Sequence, residues 1–176
     1  KGVVIMIHGL GGSSQRQGIR RMTIELQEAG FATFRLNLRG AGPSRNLSGG
    51  TYCAECTHDV IAAIKEARKI SRNIGKNYPN RKDIKDIPLF GVGISLGGTI
   101  LLNTCLMNNS DNYLLDGLAC TSSPLDLHKC SSYIERKRNY FYQKWLLKRL
   151  IKQTLIDPFC QDSKEFNSIK SQVIMN

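Results

Sequence analysis

The 176-residue chain is poor in several things that mark common functional classes. No apolar run approaches the ~20 residues that a membrane-spanning helix requires, so none is predicted. Gly-x-x-x-x-Gly-Lys-Ser/Thr is absent, which removes a P-loop. The dinucleotide fingerprint fails as well: Gly91-Val92-Gly93 puts Leu96 where its third glycine belongs, and Gly9-Leu10-Gly11 puts Ser14 there. No cofactor is expected. Aromatic residues make up only 7% of the chain and do not interleave with basic ones in a nucleic-acid motif, so nucleic acid is not an expected partner. Internal repeats and low-complexity segments are missing too.

Acidic residues are scarce: 14 Asp and Glu stand against 25 Lys and Arg, for a formal net charge of +11. Lys65–Lys85 hold eight basic and two acidic residues, and Lys129–Lys152 hold eight and one, so the remainder is slightly acidic. Such stretches read as solvated helix faces and a linker, or as a surface for anionic partners such as phospholipid head groups. Six cysteines (Cys53, Cys56, Cys105, Cys120, Cys130, Cys160) do not suggest a disulfide scaffold, because two of them sit inside apolar stretches that read as core. A reducing compartment follows, and a cytoplasmic protein in peripheral contact with membrane is expected. Cys53-x-x-Cys56, with His58 nearby, has no second ligand pair at zinc-finger spacing; these are read as ordinary thiols, and no metal is expected. The chain opens on Lys1 rather than Met and runs at once into an apolar stretch, so an upstream segment, and any targeting signal with it, is expected.

Strands and helices alternate along most of the chain. Val3–Ile7 is continuously apolar and delivers His8-Gly9-Leu10-Gly11-Gly12, a strand buried on both faces followed by a flexible loop. Ile19, Met22, Leu26 and Ala29 then recur at helical spacing, with Gly30 at the helix end. Phe31–Leu38 is a second strand emptying into Arg39-Gly40-Ala41-Gly42-Pro43, and Cys56, Val60, Ile64 and Ala67 mark a second helix. After the Asn77-Tyr78-Pro79-Asn80 linker come a strand over Pro88–Val92, an apolar helix over Thr99–Met107 and a fourth strand over Leu118–Cys120. This order predicts a mostly parallel α/β sheet with helices on both faces. Tyr133 to Ile156 departs from it: Leu147, Leu150 and Ile151 on one side and Lys148, Arg149 and Lys152 on another predict a helical cap. The expected division is 1–124 for the core and 125–176 for the cap segment.

In an open parallel sheet, ligands bind beyond the carboxyl ends of the strands, where the glycine clusters lie. Gly93-Ile94-Ser95-Leu96-Gly97 matches Gly-x-Ser-x-Gly with a strand before it and a helix after it. A serine on so sharp a turn needs glycines two residues before and two after, because side chains there would keep strand and helix apart. Ser95 is therefore the candidate nucleophile, with Gly93 and Gly97 forming the elbow. An acyl-transfer site also needs oxyanion donors; the N–H of Leu96 and that of Leu10 are the candidates. His8 reads as the residue anchoring the Leu10 loop, and His58 as a surface or helix-packing residue.

With these residues in view, the chain resembles the α/β-hydrolase superfamily and, within it, the YheT-like hydrolases. The resemblance is carried by His8–Gly12, by Leu36-Asn37-Leu38-Arg39-Gly40-Ala41-Gly42, by the elbow Gly93–Gly98 and by Ser123-Pro124-Leu125-Asp126-Leu127 with the Arg136–Leu150 helix. It implies serine-dependent hydrolysis of carboxylic esters, lipid-like ones among them, without a cofactor. It also implies a longer sheet, with the triad's acid and histidine beyond the cap. The 176 residues are thus expected to hold the nucleophile and oxyanion half of a serine esterase and to be inactive alone; Asp126 and His128 are the acid and base candidates within them. The alternative is a non-catalytic basic α/β module that binds an anionic membrane or another polyanion.

Overall fold

The opening apolar run forms β1 (Gly2–Ile7), all six residues of which are buried. A strand without a polar face must be covered on both sides, and its alternate residues go to separate layers. Val4 and Met6 face Ile19 of α1 (Gln17–Glu28), with Met22 and Leu26 alongside. Val3, Ile5 and Ile7 turn the other way, onto Val60, Ile64 and Ala67 of α2 (Thr57–Lys76) and Ile100 and Leu101 of α3 (Leu96–Leu106). The computed structural model describes residues 1–76, 87–107, 114–159, 164 and 167. The linker at Asn77–Asn80, the basic residues Arg81, Lys82 and Lys85, Cys160 and most of the end of the cap segment lie outside them.

Parallel pairing sets β2 (Phe31–Leu36) and β3 (Leu89–Ile94) on the two sides of β1, with β4 (Gly117–Thr121) beyond β3, in the order β2-β1-β3-β4. Val3 lies opposite Ala32 on one side and Leu89 on the other. After β2 the chain crosses to the far side of β1, and the helices following β1 and β3 go to opposite faces. The crevice this opens at the carboxyl ends of β1 and β3 is where such sheets hold ligands.

Several boundaries differ from the sequence reading, each for a local reason. β2 stops at Leu36 because Asn37 turns its side chain to accept the Ser14 N–H (2.8 Å) and the Leu38 N–H donates to His8 Nε2 (3.3 Å). β3 runs on to Ile94, the Ser95 N–H donates to the Thr121 carbonyl (2.8 Å), and α3 begins at Leu96 rather than Thr99. The cap is two helices, α4 (Leu127–Ile134) and α5 (Tyr140–Leu155), with a short 3-10 turn at Lys137–Asn139 between them. Asn139 Nδ2 closes that turn on the Tyr133 carbonyl (2.7 Å). Cys120, in a strand read as core, is exposed, because β4 forms the edge of the sheet and α3 covers it only in part.

The buried side of α5 is a second correction. Leu146 is its buried residue, whereas Leu147 is 49% exposed. The inward stripe continues one turn at a time through Arg149, Gln153 and Asp157, and it is polar: Arg149 donates to the Gly11 carbonyl (2.9 Å), Gln153 to the Gly40 carbonyl (2.8 Å), and Asp157 pairs with Arg45 (2.9 Å). Carbonyls on the turns after β1 and β2 need donors, and this stripe supplies them.

Candidate active site

Ser95 stands between β3 and α3 with φ 53° and ψ −128°, a backbone conformation that side-chain-bearing residues rarely occupy. The surrounding glycines show what permits it. A methyl on Gly93 would run into the Gly98 Cα and lie 2.7 Å from the Gly98 nitrogen; one on Gly97 would meet the His8 carbonyl oxygen and stand 2.6 Å from that of Ile7. One on Gly98 would strike Ser123 Oγ. Strand β1, strand β3 and helix α3 therefore approach one another at a distance open only to glycine.

The loop after β1 is fixed beside this serine. The Gly9 carbonyl accepts from the Gly12 N–H (3.1 Å), the Tyr52 hydroxyl (3.1 Å) and His8 Nδ1 (2.9 Å). His8 is 2% exposed and stacks edge-on against Tyr52. Because its Nε2 accepts the Leu38 N–H, Nδ1 is the nitrogen that carries the proton in the neutral ring. Burial lowers the His8 pKa; the bond to Gly9 acts in the opposite sense, and the Arg16 charge reinforces the lowering. A methyl on Gly9 would lie 2.9 Å from Ser95 Cβ, so the loop passes directly against the serine.

Above the elbow, α4 and α5 close a cavity of about 290 Å³ into which Leu10, Ser95 and Leu96 all face. Its roof is largely apolar, from Leu127, Ile134, Leu146, Leu147 and Leu150, with Cys130, Tyr142 and Glu135 among the polar groups. The Leu96 N–H is the first of its helix and has no acceptor within it, so the positive end of α3 points at the Ser95 side.

A family model described as Hydrolase_4, serine aminopeptidase S33, matches residues 1–175. The chain belongs to this α/β-hydrolase family. Its relatives include the mouse protein named phospholipase ABHD3, 28% identical over 82% of this chain and 30% of that one, and the YheT protein of Escherichia coli, 27% identical over 84% and 39%. The chain spans about a third of the length of the curated relatives it matches, from 30% to 37% of the first three. Two solved structures share the fold: a Saccharomyces cerevisiae monoglyceride lipase (TM-score 0.54, 23% identity, 76% of this chain and 41% of that one) and a Bacillus coagulans carboxyl esterase (TM-score 0.52, 22%, 82% and 43%).

In this α/β-hydrolase the elbow brings Ser95, Leu96 and Leu10 together but no histidine to them. His8 is buried beneath the loop with both ring nitrogens engaged, while His58 on α2 and His128 on α4 are exposed, and none of the three lines the Ser95 cavity. Asp126 is the N-cap of α4, its carboxylate accepting the Lys129 N–H (2.9 Å). Cys53 and Cys56 hold their sulfurs 3.5 Å apart just before α2, and among the described residues no group of three or more metal-ligating side chains gathers there. What the sequence reading missed is Tyr52 as a clamp on the loop, and the polar stripe of α5. The spacing of Leu146, Arg149, Gln153 and Asp157 was there to be seen, but polar residues do not announce a packed face.

Proposed function

We propose that Ser95 is the nucleophile of a carboxylic ester hydrolase that works through an acyl-enzyme. The observation that carries this reading is the strained elbow: a serine held at positive φ where three glycines permit the close approach of strand and helix, at the floor of a largely apolar cavity and at the N-terminus of α3. Such strain is kept where it serves a site. In the reaction Ser95 Oγ attacks the ester carbonyl and gives up its proton to a base, and the Leu96 and Leu10 amides hold the oxyanion. Collapse expels the alcohol, which takes the proton back, and water then releases the acid. Since His8, His58 and His128 stand away from the cavity, the reading assigns the base and its carboxylate partner to residues beyond these 176. The apolar roof suits a lipid-like acyl group, in keeping with relatives named phospholipase and monoacylglycerol lipase.

The experiment is Ser95→Ala in the whole protein, read by fluorophosphonate labelling and p-nitrophenyl ester turnover. Labelling should vanish and kcat should fall by about 10⁴-fold or more. Wild-type turnover in the variant would overturn the assignment.

The cap also carries exposed aromatic residues, Phe141 at 85% and, one turn on, Trp145 at 50%, which lines the same recess as Lys148 and Lys152. Aromatics flanked by lysines suit a head-group boundary, and we read this face as touching anionic membrane. Phe141→Ser should weaken sedimentation with anionic vesicles, and salt should weaken it further; equal binding to neutral vesicles would count against the idea. The five described cysteines, all free thiols, support a reducing compartment and with it a cytoplasmic protein.

A further inference from the structure

On the other flank of α5 lies a second, larger cavity of about 560 Å³. Its walls are the two glycine turns at the carboxyl ends of β1 and β2, and its cations are Arg16, Lys148, Arg149 and Lys152. Among the described residues no carboxylate lines it and none of these four cations has an ion-pair partner. Arg149 is anchored by the Gly11 carbonyl and lies 4.6 Å over the Trp145 ring, so its charge is positioned without being neutralised. A fifth cation, Arg45, also lines the cavity, but it is 4% exposed and its charge is met by Asp157. Like-signed charges around a recess with low-dielectric walls focus the field there and select an anion.

We propose that this cavity is a binding site for a phosphate group. A carboxylate is matched by one bidentate arginine, whereas two lysines and two arginines lining one recess suit a tetrahedral, doubly charged group. The site is separate from the Ser95 cavity: α5 packs on Gly11 through Leu146 and Arg149, with Leu10 lining one cavity and Gly11 the other. Anion binding there does not depend on the ester-hydrolase reading.

In the test, glycerol 3-phosphate is titrated into the whole protein carrying Ser95→Ala, at constant ionic strength, with acetate as the comparison. Saturable binding is expected, about tenfold weaker in Lys148→Ala/Lys152→Ala and little changed in Lys137→Ala/Lys144→Ala, which removes the same net charge outside the cavity. No saturable binding, or equal weakening by both pairs, overturns the site. So does loss of binding to phosphatidate vesicles in the first pair with no binding of glycerol 3-phosphate, which would make the lysines a membrane surface only.

Discussion

Arg45 and Asp157 meet 2.9 Å apart with their side chains 4% and 2% exposed, joining the turn after β2 to the residue just past α5. With the Arg149 and Gln153 bonds to the Gly11 and Gly40 carbonyls, this pair straps the cap across the carboxyl end of the sheet. Removing one member of a buried pair leaves a charge without compensation, whereas replacing both with apolar residues of similar size can be nearly neutral. Asp157→Ala should therefore cost about 3–5 kcal/mol in urea unfolding, and Arg45→Met/Asp157→Leu should recover most of it. A double variant as unstable as the single one would mean that the pair's hydrogen bonds to Thr51, Ser48 and Gly50 matter more than its charge.

The elbow glycines separate two kinds of close contact. At Gly97 the obstacle is backbone, the carbonyls of His8 and Ile7, which cannot withdraw without breaking β1; Gly97→Ala should destabilise by about 3 kcal/mol or more and remove Ser95 reactivity. At Gly98 the nearest obstacle is the Ser123 hydroxyl, a side-chain atom. Gly98→Ala should thus be partly rescued by Ser123→Ala, while no second substitution of that kind rescues Gly97→Ala. Thermal unfolding of the four variants distinguishes the cases.

Asp126 was a candidate acid in the sequence and is a helix cap in the structure, two roles that a conservative change tells apart. Asparagine caps a helix as well as aspartate does but cannot serve as a triad carboxylate. Asp126→Asn should keep both stability and ester turnover; Asp126→Ala should lose about 1 kcal/mol with turnover largely retained. A collapse of kcat in Asp126→Asn would return this residue to the chemistry.

Much of the core could be read directly because periodicity reports burial. A strand such as Val3–Ile7, apolar at every position, has only one stable placement, between two layers of helix. The elbow was legible for a different reason: Gly93, Ser95 and Gly97 satisfy a steric requirement that few other spacings meet. The part of the cap that docks on the turns is hidden from periodicity because it is polar, and a stripe of Arg149, Gln153 and Asp157 looks like solvent-facing surface until the carbonyls and the arginine it meets are in view. Nor does the sequence reveal the clamp on the loop, since Tyr52 and Gly9 are 43 positions apart and only the crossover from β2 to α2 brings them together.

His8 makes the loop, and hence the site, sensitive to acid. Buried and bonded through both ring nitrogens, it is held neutral in the folded protein, with a pKa below the ordinary value near 6.5. The unfolded chain takes up a proton there as pH falls through about 6.5, while the folded chain refuses it until lower pH. The unfolded state therefore binds more protons across that interval, and stability rises with pH within it. His8 stabilisation should be complete above about pH 7 and drain away as pH drops below about 6.5, with a slope of at most about 1.4 kcal/mol per pH unit for one proton. His8→Asn should be less stable at neutral pH, since it loses the ring packed on Tyr52, but it should lack this part of the slope. Urea midpoints at pH 5, 6, 7 and 8 for both proteins give the answer: parallel curves would show that protonation of His8 is not what acid does to the fold.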